Sequence, residues 1–198
     1  MSLIVNIRGT NGSGKSTAVT RYMEVIRVEE ELKRGDKTWA YRLRNGVSVL
    51  GRYTTACGGC DTVKTFADLK AGVTELASHG PVLFEGVLWS TCFTPSVELA
   101  QNLPQHHFIF AMIDTPADEC LRRVLARRKQ AGNEKPFDPT KQQKKHLTIA
   151  GIQRRLTAAG YDARILPHAN AFATIEEWFR GSPEQTPDLE VLLTAGKL

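Results

Sequence analysis

The sequence lacks any apolar run that approaches the roughly 20 residues needed to span a bilayer. It also lacks a signal-peptide pattern, because its first residues lead directly into an apolar run, and it contains no internal repeat or low-complexity tract. Hydrophobic residues make up 41% of the 198 positions, which is enough for the core of one domain. We therefore expect a soluble, cytoplasmic protein that does not contact a membrane.

Cysteine is scarce, with four residues, and without a secretory signal we expect reduced thiols. Cys57 and Cys60 have the CxxC spacing of half a zinc site or a redox pair, but no second CxxC or CxxH pair accompanies them. A tight glycine turn near the active site is the favoured interpretation of this stretch, and a metal or redox role is the alternative.

Acidic residues are scarce in residues 122–155, where eleven basic residues accompany only two acidic ones. The whole chain has a formal net charge of +5, so the remainder is net acidic. This segregation is typical either of a solvated basic surface or of a surface that binds phosphate or nucleic acid.

Residues 9–17 (Gly-Thr-Asn-Gly-Ser-Gly-Lys-Ser-Thr) fill every fixed position of the pattern GxxxxGK[ST]. An apolar run at 3–7 predicts a buried strand before the pattern. A helix is predicted after it, from Thr17 to about Lys33, and Gly35 is a natural stop for that helix. A loop in this context turns its backbone amides toward one point, to which the helix dipole also contributes.

This phosphate loop is therefore expected to bind ATP. Lys15 supplies a mobile charge for the β- and γ-phosphates, and the Ser16 hydroxyl is placed to bind a magnesium ion, Mg2+. The predicted nucleotide-binding residues of the loop are Gly9, Asn11, Gly12, Ser13, Gly14, Lys15, Ser16 and Thr17.

Two β-prone runs at 38–44 and 47–53 are joined by Asn45-Gly46, which is a strong hairpin signal. A compact nucleotide-binding core does not need this hairpin, so we predict an insert at about 37–60 that recognises a substrate. Its aromatic residues can stack on bases or pack beneath the hairpin, and both interpretations remain open. The predicted substrate-binding residues are Arg42, Arg44, Arg52, Tyr53 and, from a loop predicted at 88–94, Trp89.

A short apolar run at 82–84 predicts a strand that ends in Glu85. An acidic residue at this position typically has a catalytic role or a role linked to the metal, so Glu85 and Ser16 are the predicted metal-binding residues. Asp61, which follows the CxxC stretch, is the other candidate carboxylate.

Arginines cluster near the end of a helix predicted from Pro116, with Thr115 as its N-cap. Arginines four positions apart share one face of a helix, so they are expected either to neutralise a transferring phosphoryl group or to complement the helix dipole. We predict a mobile lid at about 117–145 and catalytic roles for Arg123, Arg127 and Arg128.

Asn170 and Ala171 lie in a predicted loop that follows the last short strand, and they are the candidates for contact with the adenine base. The predicted domain therefore spans residues 1–180, and residues 181–198 are expected to form a loosely attached tail.

In this order, these features resemble the P-loop kinases. The resemblance covers residues 3 to about 180 and implies an α/β three-layer sandwich with a mostly parallel sheet, an inserted hairpin and an arginine-rich lid. The sequence has neither the Asn-Lys-x-Asp motif of GTPases nor the Leu-Ser-Gly-Gly-Gln signature of transporter ATPases.

Residues 53–65 (Tyr-Thr-Thr-Ala-Cys-Gly-Gly-Cys-Asp-Thr-Val-Lys-Thr) and 84–88 (Phe-Glu-Gly-Val-Leu) are similar to bacteriophage kinases of thymidine hypermodification. This resemblance implies that ATP is used to phosphorylate the hydroxymethyl group of 5-hydroxymethyluracil in DNA, in the cytoplasm of a host cell. A base within a duplex must be flipped out for such chemistry, and the hairpin and Trp89 could stabilise it by stacking.

The predicted mechanism has two parts besides the phosphate loop. Asp61 or Glu85 orients the acceptor hydroxyl and takes its proton, and the arginines stabilise the transition state. One alternative is a deoxynucleoside or nucleoside-monophosphate kinase acting on free nucleotides, although no Asp-Arg-Ser signature follows Glu85. Another is a DNA-binding ATPase.

Overall fold

A computed structural model describes residues 2–54, 58–63 and 65–180. Its centre is a seven-stranded sheet with the strand order β2-β3-β4-β5-β1-β6-β7. Five neighbouring strands, from β4 to β7 in that order, are parallel, whereas β2 and β3 add an antiparallel edge. The strands are β1 Leu3–Arg8, β2 Val28–Arg34, β3 Lys37–Leu43, β4 Ser48–Leu50, β5 Val82–Glu85, β6 His107–Asp114 and β7 Asp162–Pro167.

Helices cover both faces of this sheet. One apolar core lies under α1 and α7, and a second lies on the opposite face under α2, α4 and α6. The arrangement confirms the predicted three-layer α/β fold of the P-loop NTPase type. The helices are α1 Lys15–Ile26, α2 Phe66–Ala77, α3 Val87–Ser90, α4 Thr94–Gln101, α5 Ala117–Gln130, α6 Pro139–Ala158 and α7 Ala171–Arg180.

The central strand β1 is apolar on both faces, as its sequence predicts. Val5 and Ile7 point into the core under α1, and Ile4 points into the core on the other face, because side chains alternate along a strand. All six residues of β1 are buried, which is typical of a parallel strand covered on both sides. The phosphate loop therefore follows a fully buried central strand.

The predicted extension of the first helix to Lys33 is wrong. The helix α1 ends at Ile26, Arg27 has a φ of 72°, and the following residues form β2. Glu31 pairs with Tyr41 of β3, and Gly35 lies in the turn between these strands. The Glu-rich run has helical propensity, but pairing with β3 outweighs a local preference of this size.

The hairpin predicted around Asn45-Gly46 is confirmed as β3 and β4. It lies within the central sheet, because β4 also pairs in parallel with β5. Tyr41 belongs to one core and Trp39 packs against the other. For these two residues, the structure favours the interpretation in which the aromatic side chains pack beneath the hairpin.

The lid and the tail remain predictions. Residues 117–145 include α5 and the start of α6, whose later residues Ile152 and Leu156 belong to a core of the domain. Cys57 and the tail at 181–198 lie outside the described residues. Within the described residues, no helix is both long and apolar enough to cross a bilayer.

Candidate active site

A cavity of about 560 Å³ lies at the carboxyl ends of β1 and β5, and we call it the loop cavity. Its wall combines the phosphate loop with arginines of α5 and with the segment that follows β7. The lining residues are Asn11, Gly12, Gly14, Lys15, Ser16, Thr17, Ala18, Arg21, Asp61, Val87, Arg123, Arg127, His168, Ala169, Ala171 and Phe172. Gly9 and Ser13, also predicted to bind the nucleotide, are not among them.

The phosphate loop is fixed from outside by α5, α6 and the segment before α5. Gly12 has a φ of 81°, and a Cβ atom there would collide with the Cys120 carbonyl of α5. The Thr115 hydroxyl donates to the Ser13 carbonyl at 2.8 Å, so this side chain anchors the loop and does not cap α5 as predicted. Gln142 of α6 donates to the Asn11 carbonyl at 2.7 Å.

Lys15 begins α1 and is only 5% exposed. Its Nζ donates to the Thr10 carbonyl at 3.1 Å, within the loop. Burial lowers the pKa of Lys15, while the nearby Glu85 and Asp61 carboxylates oppose that shift. The ammonium is thus held within the phosphate loop, and the first-turn amides of α1, which directly follow this loop, have no partner inside the helix.

Glu85 is fully buried at the end of β5, as the sequence predicts. The Ser16 hydroxyl donates to Glu85 Oε1 at 2.7 Å. Burial raises the pKa of Glu85 to about 7, although Lys15 and the Ser16 hydrogen bond lower it. Among the described residues, Oε2 of this carboxylate has no hydrogen-bond partner.

These donors fit a magnesium ion. The hydroxyl of Ser16 and the unpartnered oxygen of Glu85 are hard ligands of the kind that Mg2+ prefers. Within the described part of the chain, no group of three or more His, Cys, Asp or Glu side chains is gathered in a metal-binding cluster. Such a site suits Mg2+, which usually binds one or two carboxylates and takes its other ligands from substrate phosphates and water.

Asp61 lines the loop cavity, and its charge contributes to the raised pKa of the nearby Glu85. Asp61 lies in a single 3₁₀ turn, Cys60–Thr62, and its Oδ1 accepts the Val87 amide at 2.8 Å. This hydrogen bond connects the 3₁₀ turn to Val87, the residue that follows Glu85 and Gly86. The two predicted carboxylates are therefore brought together, one buried and one exposed to the cavity.

Two of the three predicted arginines, Arg123 and Arg127, line the loop cavity. Arg123 donates to Glu119 at 2.6 Å and to the Gly12 carbonyl at 3.4 Å. Hydrogen bonds from Arg122 and Arg123 lower the pKa of Glu119 to about 2. Arg128 points elsewhere, because it donates to the Lys135 carbonyl and its guanidinium lies 5.2 Å from the Phe137 ring centroid.

The side of the cavity expected to hold the base contains one of the two predicted residues, Ala171. Asn170 is not a lining residue, whereas its neighbours His168, Ala169 and Ala171 are. Sequence reasoning missed Arg21, whose guanidinium lies 4.7 Å from the Phe172 ring centroid. The sequence does contain a signal for Arg21, because Arg21 follows Thr17 by four positions and therefore lies on the same face of α1 as this phosphate-loop residue.

A second cavity of about 630 Å³ adjoins the first, and we call it the tyrosine cavity. The two share Ser16, Thr17 and Arg21, and the second extends to Tyr53, Thr54, Thr20 and Glu24. The Tyr53 hydroxyl is buried and, among the described residues, has no hydrogen-bond partner. Burial, reinforced by Glu85, raises the pKa of Tyr53 well above its usual value. Arg52, next to it, is exposed and bridges to Gly59 through its backbone.

Arg42 and Arg44 are not brought to either cavity. Arg42 pairs with Ser48, which pairs with Val82 at the start of β5. Val82 and Glu85 are three residues apart along β5, so Arg42 lies about 10 Å along the strand direction from the position of Glu85. Arg44 follows β3 at the same end of the sheet, so neither arginine lines the two cavities, and their substrate role stays a prediction.

The predicted role of Trp89 is wrong. The stretch predicted as a loop begins with the short helix α3, and Trp89 is only 1% exposed. Its ring packs against Phe66 and Phe84, with centroid distances of 5.5 and 6.1 Å. A side chain buried in this way cannot stack on a substrate base.

Comparison with known proteins identifies phage relatives of this chain. The 5-hmdU DNA kinase of Pseudomonas phage PaMx11 is 32% identical over 182 residues, covering 88% of this chain and 95% of the relative. That of Pseudomonas phage M6 is 33% identical over 189 residues, covering 87% and 95%. That of Delftia phage PhiW-14 is 34% identical over 172 residues, covering 79% of this chain and 65% of the relative.

No protein-family model matches the chain. Among solved structures, the deoxyadenosine kinase from M. mycoides is 10% identical with a TM-score of 0.42, covering 90% of this chain and all 100% of that one. A likeness of that degree carries no argument about function. The assignment rests on the phage relatives, which match at more than 30% identity over nearly their whole length in two cases. The chain is therefore a kinase and belongs to the family of the 5-hmdU DNA kinases.

Proposed function

We propose that this kinase transfers the terminal phosphoryl group of ATP to the hydroxymethyl group of 5-hydroxymethyluracil in DNA. The names of the relatives support the acceptor. The geometric support comes from one observation, which is that two cavities meet at Ser16 beside the buried Glu85. Such a pair of adjoining cavities suits a donor and an acceptor that react where they meet.

ATP is the proposed occupant of the loop cavity. Its triphosphate would lie against the first turn of α1, where the amides and the helix dipole favour anions. Lys15 would leave the Thr10 carbonyl and bind phosphate oxygens. Arg123 would leave Glu119 and bind the negatively charged phosphates in its place. The base would lie toward Phe172, which forms the other end of the cavity.

Ser16 and Glu85 would hold the magnesium ion of the nucleotide. When bound, Mg2+ neutralises charge on the phosphates and lowers the barrier to their transfer. The contribution of the chain is to keep the Glu85 carboxylate dehydrated and aimed at one point, since Ser16 and the burial of Glu85 fix its position.

The flipped base of DNA is the proposed occupant of the tyrosine cavity. Asp61 would accept a hydrogen bond from the acceptor hydroxyl and take its proton. The acceptor oxygen would form its bond to the γ-phosphorus as the bond to the β-phosphate oxygen breaks, which releases ADP. Tyr53 would offer its unpartnered hydroxyl to the base.

One assay tests this function against its alternatives. Labelled ATP is incubated with the enzyme and Mg2+ in three reactions, with 5-hydroxymethyluracil DNA, unmodified DNA or free nucleotides. We expect label only on 5-hydroxymethyluracil DNA. Label on free nucleotides alone would instead assign a nucleotide kinase, and label found only as inorganic phosphate would assign an ATPase.

A further inference from the structure

The helix α6 carries charge of one sign. It contains five Lys or Arg residues and no Asp or Glu, although it is 20 residues long. Lys141, Lys144 and Arg155 are exposed, and Lys141, Lys144, Thr148 and Arg155 fall at helical spacing on one face. None of these exposed side chains belongs to the cavities described above.

A groove of about 570 Å³ runs between this face and the segment that joins α3 to α4, and we call it the basic groove. Among the residues that the structure describes, no acidic side chain lines it. The Arg155 guanidinium lies 4.0 Å from the Phe93 ring centroid, which makes a flat cationic platform in its wall. The lining residues are Thr91, Cys92, Phe93, Thr94, Pro95, Thr148, Gly151, Ile152 and Arg155.

A buried positive charge lies behind this wall. Arg8 is fully buried and donates hydrogen bonds to Asn6, to the Ser96 hydroxyl and to the Ser90 carbonyl, all of which are neutral. Ser96 in turn donates to the Cys92 carbonyl of the groove at 2.7 Å. Because no described carboxylate forms an ion pair with Arg8, its charge adds to the positive potential of this side of the molecule.

The groove leads away from the active site. At one end of α6, Gln142 bonds to the phosphate loop, and α3 begins beside Asp61. With a rise of 1.5 Å per residue, Thr148 lies about 9 Å along the helix from Gln142 and Arg155 about 20 Å. At about 3.4 Å per nucleotide of duplex, this span corresponds to roughly three to six nucleotides.

We propose that the basic groove binds the phosphate backbone of the DNA strand that flanks the modified base. Lys141, Lys144 and Arg155 contact phosphates along this strand, and the platform on Phe93 accepts a base or sugar. This inference rests on the proposed function, because it assumes that the acceptor is a polymer. Contacts of this kind fix the position of the strand and carry no sequence information.

The test is DNA binding by a charge-reversed variant. Lys144→Glu with Arg155→Glu changes one exposed residue on the α6 face beside the groove and one in its wall. Lys33→Glu with Lys37→Glu makes the same change in net charge at the antiparallel edge of the sheet. Binding of a labelled 20-mer duplex, with and without 5-hydroxymethyluracil, is measured by fluorescence anisotropy over a range of salt concentrations.

We expect the groove variant to bind DNA at least about tenfold more weakly and to lower the slope of log affinity against log salt by about 2. The control variant should match the wild type. Affinity for an ATP analogue should be equal in all three proteins, and kcat at saturating DNA should persist while the KM for DNA rises.

Equal DNA affinity and equal salt slope in the groove and control variants would overturn the inference, as would a wild type that does not bind DNA. A groove variant that loses DNA binding supports the inference even when the wild type transfers no phosphoryl group to 5-hydroxymethyluracil DNA. In that case only the proposed function fails. Equally efficient phosphoryl transfer to 5-hydroxymethyluracil DNA by the groove variant and the control variant would refute the proposed role of the groove. The proposed function would then still stand.

Discussion

The two kinds of charge around the loop cavity are held in opposite ways. The Glu85 carboxylate is fully buried, and the Ser16 hydroxyl, a neutral donor, binds it. The Arg123 side chain is 32% exposed and is bound by Glu119, an opposite charge on its own helix. The buried side is dehydrated and fixed, whereas the arginine side is solvated and free to exchange partners.

This difference has an energetic consequence. A dehydrated charge acts strongly on its surroundings but lowers the stability of the protein that holds it. A solvated ion pair contributes little stability, so releasing it for a new partner costs little. We therefore expect changes on the buried side to be severe, and changes among the arginines to be graded.

The largest effect is expected for Lys15→Ala. Loss of the buried ammonium should lower kcat/KM by about 10³-fold, because it removes a fixed charge from the terminal phosphates. The measurement is steady-state phosphotransfer, with exposed Lys33→Ala as the control. Near wild-type phosphotransfer by Lys15→Ala would contradict the expectation that changes on the buried side are severe.

Glu85→Gln should reveal the stability cost of the buried side. Since the folded pKa of Glu85 is about 7 and its ordinary value is 4.5, the folded state binds the proton more tightly. The wild type without Mg2+ should therefore lose stability as pH rises from about 4.5 through 7, by at most about 3 kcal/mol.

Glu85→Gln should remove this part of the pH dependence and be the more stable protein at pH 8, although inactive. The free energy of unfolding is measured in urea at pH 5 and pH 8. The same pH dependence in both proteins would show that Glu85 is not a strained, dehydrated carboxylate.

The variant Asp61→Asn tests the role of the Asp61 carboxylate separately from that of Glu85. Asp61 lines the cavity, and the acceptor proposed for it is a primary alcohol, which needs little deprotonation before a loose transition state. We therefore expect a loss of about 10²-fold in kcat, smaller than that of Lys15→Ala. Asp36→Asn, in an exposed turn, is the control. A loss larger than that of Lys15→Ala would contradict the assignment, since positioning would then matter less than basicity.

Arg123→Ala and Arg128→Ala form a matched pair on α5. Of these two residues only Arg123 lines the cavity, and Arg127, which lines it as well, can replace part of the lost charge. We expect a loss of roughly tenfold in kcat for Arg123→Ala and no change for Arg128→Ala. Equal losses in the two variants would mean that the described orientation of Arg128 does not persist during catalysis.

The smallest functional effect is expected for Trp89→Phe. This change should reduce stability by about 1 kcal/mol through lost packing and leave the KM for the DNA acceptor unchanged. Urea unfolding and steady-state kinetics measure the two quantities. A raised KM at wild-type stability would restore the stacking role that the buried position of Trp89 argues against.

The predictions that succeeded rest on local signals. The phosphate loop, the strand ending in Glu85 and the Asn45-Gly46 hairpin each follow from a few neighbouring residues, and the structure contains all three. The failures concern orientation and pairing. Periodicity cannot show that β2 pairs with β3, or that Trp89 turns into a core.

By itself the sequence determined the class of fold and the place of the phosphate loop between β1 and α1, because glycine, lysine and serine at fixed spacing act locally. The tertiary structure decided which charges meet. Glu85 reaches Ser16, and Arg123 but not Arg128 faces the cavity, only because the sheet order brings β1, β5 and α5 together. The physical reason is that burial, and the pKa shifts it causes, depend on contacts between residues far apart in the chain.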